Sequence, residues 1–345
     1  MTRLKLLSLA ALALLIALPY LVSAIFPSSE RYYLHLIIQT LLWAQIYTAW
    51  SIMGRYGLTS LGHGAFTGIG AYVTVMLWNL FGLTPLLGIP FAIGLAVLFS
   101  VIIGYPSFAQ RIKGHYFALL TLAMVEFVRL CIIGLRDYTG GSLGTQPIRY
   151  GNGLSLYAVQ FETNRHLAYI IVLIIWLLTL AGWQILHKSI HSQALEAINE
   201  NEEAAAAIGI NVTWEKLKVT MLSAALSALG GAIFAQYQMY IGPETIAGLN
   251  LSLGIVFGVV AGGIGVLLGP TVGAILTQTL SEGLRVAAQG STWLEHMLGS
   301  GVLSLDGIIY GLLLVLFIIY MPRGILGTLL EVWTRKPAAR HNTHE

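Results

Sequence analysis

The chain has 345 residues, 57% of them hydrophobic and only 10% charged, with a formal net charge of +3. So few charges cannot cover a soluble fold of this size, for which about 25% is usual, and so small a net charge gives nucleic acid no footing. The single cysteine, Cys131, excludes a disulfide framework and a cysteine metal cluster, and neither a phosphate-binding P-loop nor an HExxH motif occurs.

The apolar residues fall in long runs, which read as membrane-spanning helices because lipid offers the backbone no other hydrogen-bond partners. No alternation of apolar and polar residues suggests a barrel. The predicted fold class is all-α: a polytopic transmembrane helix bundle of about ten spans, near 4–26, 34–53, 60–81, 85–106, 115–135, 166–186, 217–240, 250–268, 270–286 and 302–321. The first of these also fits a cleavable signal peptide, with Arg3 and Lys5 before an apolar stretch and Ala24 after it. The distribution of charge favours a retained helix. Gly269-Pro270 either separates two helices or kinks one irregular segment.

Positive charge sets the orientation. With the N-terminus inside, twelve cations fall on the inner side: Arg3, Lys5, Arg55, Arg111, Lys113, Lys188, Lys216, Lys218, Arg323, Arg335, Lys336 and Arg340. Five fall outside: Arg31, Arg136, Arg149, Arg165 and Arg285. Both termini are therefore expected in the cytoplasm.

The two long loops differ in kind. The outer one, 136–165, holds the glycine turn cluster of Asp137–Gly144. The inner one, 187–216, contains Ser192–Ile208, rich in Ala, Leu and Glu, and predicts one short amphipathic helix with Gly209 as its C-cap. Glu196, Glu200 and Glu203 would share one face, with Leu195, Ile198 and Ala205 nearer the other. Such a helix is either a solvated connector or a docking element for a cytosolic partner.

Glycines recur four apart: Gly64 and Gly68; Gly254, Gly258 and Gly262; Gly265, Gly269 and Gly273. That spacing lets helix backbones approach closely in lipid, and pore lining is the alternative reading. Glu126 and Arg129 share a face of the fifth span, as an ion pair or a proton relay. His63 reads as a packed, hydrogen-bonded histidine in preference to a ligand. His187 and His191 have i, i+4 spacing without a carboxylate partner, a weak metal site. Glu282 and Arg285 lie where they reach outer water, Asp306 opens the last span as a helix N-terminal charge, and the Asn211–Thr213 sequon is cytoplasmic. No nucleophile, base and oxyanion donor come together, so the chain is expected to be a non-catalytic membrane subunit.

Several blocks, in order over roughly residues 50–325, resemble the LivM-type permease subunit of branched-chain amino-acid ABC importers. They are Tyr56–Tyr72; Gly114–Ala123 with Glu126 and Arg129; Thr139–Ser142; Ala194–Glu202 with Ala204–Val212; Gly262–Gly265 with Gly269-Pro270; and Asp306-Gly307 with Met321–Gly324. The resemblance implies a permease domain over 34–325, preceded by a signal-anchor helix and outer loop (1–33) and followed by a cytoplasmic tail (326–345). It implies a sister permease subunit, two cytosolic ATPase subunits, and a periplasmic or lipid-anchored substrate-binding protein, in the lipid of a bacterial inner membrane. No cofactor is expected on this chain; ATP and Mg would belong to the ATPases. Leu195, Glu196, Ile198, Glu200, Glu202, Ala204 and Gly209 would couple to the ATPases. Gly62, His63, Gly64, Phe66, Gly68, Gly258, Gly262 and Gly265 would lie along the translocation pathway. Many relatives carry Gly-Arg before the Ala-Leu pair and arginine where Asn199 stands, whereas this chain reads His191-Ser-Gln193 and has no such arginine.

The solute class stays open between branched-chain or hydrophobic amino acids and urea or short amides. Two other classes also stay open: a proton-coupled secondary transporter using Glu126, His63 or Glu282, and a passive channel or structural subunit.

Overall fold

The computed structural model describes residues 2–151, 154–161, 164–289, 312 and 324–334. Their long helices are α1 (Thr2–Ile25), α2 (Glu30–Gly54), α3 (His63–Phe81), α4 (Pro85–Ala109) and α5 (His115–Gly134). A turn of helix, α6 (Arg136–Thr139), precedes α7 (Arg165–His187), then α8 (Ile190–Glu200), α9 (Glu202–Ala207) and α10 (Val212–Gln238). After these come α11 (Pro243–Ile246), α12 (Leu249–Gly262), α13 (Gly269–Gln289) and α14 (Gly324–Thr334). Among the described residues, the regular β structure is one antiparallel pair, Leu154–Ser155 with Gln160–Phe161, in the loop between α6 and α7. The helical bundle is as expected. Among the described residues, seven stretches are long and apolar enough to cross a membrane: α2, α3, α4, α5, α7, α10 and the run Pro243–Gly262. Apart from residue 312, the span at 302–321, with Asp306, lies outside the described residues.

Helix edges depart from the sequence reading for local reasons. α3 begins at His63 because residues before it turn, with Gly57 at φ +76°. α10 starts at Val212, inside a charged stretch, because the Asn211 side chain accepts from Trp214 N at 3.1 Å and caps it. α12 stops at Gly263, whose φ of +119° no helix continues. The two segments flanking Gly269-Pro270 are thus separate helices.

α2 is the centre of the bundle: its C-terminal half from Ala44 to Gly54 is buried throughout, and it packs against α7, α10, α12 and α13. α10 packs on its other side against α3 and α4. α1 lies against α2 and α7, where the Tyr169 hydroxyl donates to Leu15 O at 2.7 Å.

Glycine makes the close approaches. A Cβ on Gly262 would lie 1.9 Å from Gly269 O, and one on Gly273 1.9 Å from Gly258 O, so α12 and α13 form an antiparallel hairpin with backbones in contact. Between α10 and α12 the chain breaks into short pieces around α11, with Ile241–Pro243 and Ile246–Gly248 buried. Backbone groups there are met by protein, as an apolar surround demands: Thr67 Oγ1 donates to Ile246 O at 2.8 Å, and Ile241 exchanges two 2.9 Å backbone bonds with Thr145.

Candidate functional site

The loop between α7 and α10 forms a structured platform. Its predicted single helix is two helices, α8 and α9, meeting at Asn201. Asn201 is extended, at φ −153°, and its Oδ1 accepts from Glu203 N and Ala204 N, both at 3.0 Å. Local capping by asparagine wins over the helix propensity of the surrounding Glu and Ala. Glu203 therefore belongs to a different helix from Glu196 and Glu200, and the expected common face does not exist. Gly209 does end the second helix, with φ +92° and a 3.1 Å bond from Ile210 N to Ala205 O.

The platform is bound to the bundle by apolar and polar contacts. Leu195, Ile198 and Ala205 are buried, as the periodicity predicts. Leu195 joins a cluster with Ile52, Met53, Phe108, Trp183 and Leu217, contributed by α2, α4, α7 and α10. Ser192 is buried and accepts from the Tyr56 hydroxyl at 2.9 Å, while donating to Glu196 Oε1 at 3.1 Å. Tyr56 in turn receives a hydrogen bond from Arg55, whose guanidinium stacks 4.1 Å above the Trp183 ring. Burial pushes the Arg55 guanidinium below its usual pKa, and the Tyr56 hydroxyl opposes that effect.

Two further ties reach α10. Lys216 Nζ lies 2.9 Å from Glu202 Oε2, and Glu215 takes both Lys218 at 2.8 Å and His191 at 2.9 Å. Glu202 thus also anchors α9 to α10. The side chain of Asn199 sits on Gly57, since a Cβ there would fall 2.1 Å from Asn199 Oδ1. The position where relatives carry arginine thereby touches the turn between α2 and α3. What faces away from the bundle is mixed: Ile190 is 75% and Ile208 76% exposed, and Ala204, Ala206, Ala207 and Gly209 are exposed, among the exposed polar side chains of His191, Gln193, Glu196, Glu200 and Glu203.

The residues assigned to the pathway occupy close contacts between helices. His63 is fully buried, 2.8 Å from Ser223 Oγ through Nε2, with the Trp50 and Phe66 rings around it. Phe66 packs with Ala96, Ala224 and Ala228. Gly62 faces Thr121, Gly64 and Gly68 face the 247–252 segment, and Gly258 faces the Tyr47 ring. Gly265 alone among these eight has open space where a side chain would start. Glu126 and Arg129 do form an ion pair, at 2.9 Å between Nε and Oε2. Arg129 also binds Glu244, on α11, a partner the sequence reading missed because it lies 115 residues away. His187 rests against Trp183, apart from His191, and no group of three metal-binding side chains occurs among the described residues.

Comparison with known proteins adds identity to this geometry. A family model described as "Branched-chain amino acid transport system / permease component" matches residues 32–318. The chain is 28% identical over 296 residues to the high-affinity branched-chain amino acid transport system permease proteins LivM of Salmonella typhimurium and Escherichia coli. These matches cover 80% of this chain and 65% of those relatives' own length. It is 24% identical over 275 residues to a probable branched-chain amino acid transport permease protein, LivH, of Methanocaldococcus jannaschii, covering 78% of this chain and 82% of that one. No solved structure matches the chain.

Proposed function

Since this chain belongs to the family of branched-chain amino acid transport system permease components, we propose that it is the membrane permease subunit of an ATP-driven importer of branched-chain and other hydrophobic amino acids. It works with a sister permease subunit, two cytosolic ATPase subunits that bind ATP and Mg, and an external substrate-binding protein, in a bacterial inner membrane. The solute crosses by alternating access at the interface of the two permeases.

The observation that carries this reading is the α8–α9 platform. It is a folded element packed onto α2, α4, α7 and α10, with an exposed side that sets Ile190, Ile208 and small residues among Glu196, Glu200 and Glu203. A solvated connector needs neither the buried Leu195 and Ile198 nor the ion pair between Glu202 and Lys216. A docking element needs both, because force applied to it must reach the membrane helices. Glu196, Glu200, Ala204 and Gly209 are the members of the predicted coupling set that lie on the accessible side. The glycine-rich helices α3 and α12 border the route.

The test is uptake of labelled leucine by proteoliposomes holding the whole assembly, with ATP inside. Uptake requires ATP and the binding protein, and it is abolished by Gly209→Pro at unchanged expression. Gradient-driven uptake by this chain alone would overturn the reading in favour of a secondary transporter, and uptake of urea or short amides without leucine would overturn the substrate class.

A further inference from the structure

Only one face of α5 packs into the bundle. Phe117, Thr121, Met124, Val125, Val128 and Ile132 are buried. The opposite stripe of Tyr116, Leu119, Phe127 and Leu130 is exposed. Glu126 and Arg129 lie on the flank between them, towards α11. An apolar stripe suits lipid, but this flank does not. Glu126 is the twelfth and Arg129 the fifteenth of the helix's twenty residues. At about 1.5 Å per residue they stand roughly 16 and 21 Å along a helix about 30 Å long. Ionisable groups at such depth meet protein or water, because they are expensive in lipid.

The charges there do not balance. Arg129 gives Nε to Glu126 Oε2 at 2.9 Å, Nη2 to Glu126 Oε1, and Nη1 to Glu244 Oε1. All three of its nitrogens are engaged. Two carboxylates thus share one guanidinium, which leaves one net negative charge. The excess is accessible: the side chains of Glu126 and Glu244 are 43% and 66% exposed. Glu244 Oε2 accepts no hydrogen bond among the described residues. Neither span offers a second cation, since Arg129 is the only lysine or arginine in α5 or in the run Pro243–Gly262.

We propose that the α5–α11 face is where a second, different permease chain docks, and that this partner brings a lysine or arginine at mid-membrane depth to the Glu126–Arg129–Glu244 cluster. Charge complementarity selects the partner. A second copy of this chain fits badly, because a two-fold contact places the same patch on both sides. Two clusters with the same excess and no spare cation would then meet, and like charges suppress association. A partner's cation satisfies Glu244 and removes the excess, while the apolar stripe of Tyr116, Leu119, Phe127 and Leu130 supplies contact area around it. The proposal rests on the importer reading for the existence of a sister permease. Which face meets it, and the charge it must carry, follow from the cluster.

The experiment uses the assembled complex, with a photoreactive benzoyl-phenylalanine in place of Phe127. On illumination it cross-links to the sister permease, identified by mass spectrometry of the product. Cross-links confined to lipid or to a second copy of this chain, or none at all, overturn the docking face. The charge is tested in the same complex. Glu244→Gln makes the cluster neutral and strands the partner's cation, so the sister permease recovered with this chain falls severalfold. Adding Arg129→Gln restores a single negative charge, on Glu126, and returns most of the recovery. A cluster that serves only this chain's own fold gives the reverse, because the double variant leaves Glu126 alone. A further loss there, or no loss in Glu244→Gln, overturns the proposal. Glu244→Cys in a Cys131→Ser background tests for water: modification by a membrane-impermeant thiol reagent in the intact complex overturns the proposal in favour of a water-filled passage. Leucine uptake by the unaltered complex is measured beside these. Its failure sinks the transport reading, whereas intact uptake with cross-links elsewhere sinks only this face.

Discussion

Lys216 Nζ stands 2.9 Å from Glu202 Oε2 with the two side chains only 7% and 11% exposed, so one desolvated ion pair ties α9 to the base of α10. The Phe108 ring lies 5.9 Å from the same ammonium, on the α4 side. Removing one partner leaves a buried charge without its counter-ion, a loss of about 3–5 kcal/mol in comparable sites. Lys216→Met and Glu202→Gln are each expected to lower the thermal midpoint of the purified complex by several degrees. The double variant Lys216→Met/Glu202→Gln should lose less than the sum of the two single losses. Additive losses in that cycle would show that the pair is not coupled.

Asn201→Ala removes the cap from α9 and should destabilise that helix by about 1 kcal/mol. Six residues form α9, so the loss falls on its first turn. Hydrogen exchange at Glu203 and Ala204 should speed up about fivefold, the factor that such an energy corresponds to. Transport per ATP hydrolysed should fall more than ATP hydrolysis itself. Asn201→Asp, which keeps the acceptor, should restore both.

Gly57→Ala places a methyl group 2.1 Å from Asn199 Oδ1 at a φ of +76°. The backbone alone costs about 1–2 kcal/mol there, and the clash displaces α8 from the turn between α2 and α3. Reduced coupling is expected, with partial recovery when Asn199→Gly is added, since the clash is relieved but the strained φ remains. Full recovery would place the whole effect in the contact.

Gly262→Ala forces α12 and α13 apart, because the new Cβ would fall 1.9 Å from Gly269 O, and backbone cannot move aside as a flexible side chain can. Overpacking of this kind costs about 1–3 kcal/mol. Gly254→Ala, four residues along the same stripe from Gly258, meets nothing within 4 Å and should leave stability unchanged. Equal behaviour of the two variants in a thermal assay would argue against the hairpin contact.

The glycine spacing thus carried information that only the packing could sort. Gly254, Gly258 and Gly262 look alike in sequence; two of them are close contacts and one is open. The same holds for the inner loop. Its burial pattern at Leu195, Ile198 and Ala205 follows from periodicity, yet the break at Asn201 was hidden by the strong helix formers around it. A signal was present: an asparagine directly before two acidic residues is an N-terminal helix signature.

By itself, the sequence determined the class of fold, the apolar kind of helix that builds it, and a helical segment between the spans at 166–186 and 217–240. These are partition properties. Whether a run of side chains prefers lipid or water depends on its own composition, and helices satisfy their own backbones, so local pattern suffices. Tertiary structure decided which charges are neutralised and where polar groups meet. Arg129 finds Glu244, Lys216 finds Glu202, and Tyr32 finds Glu282 across 250 residues. Such pairs depend on which helix faces come together, and that is set by the packing of the whole bundle, which no segment of the chain carries alone.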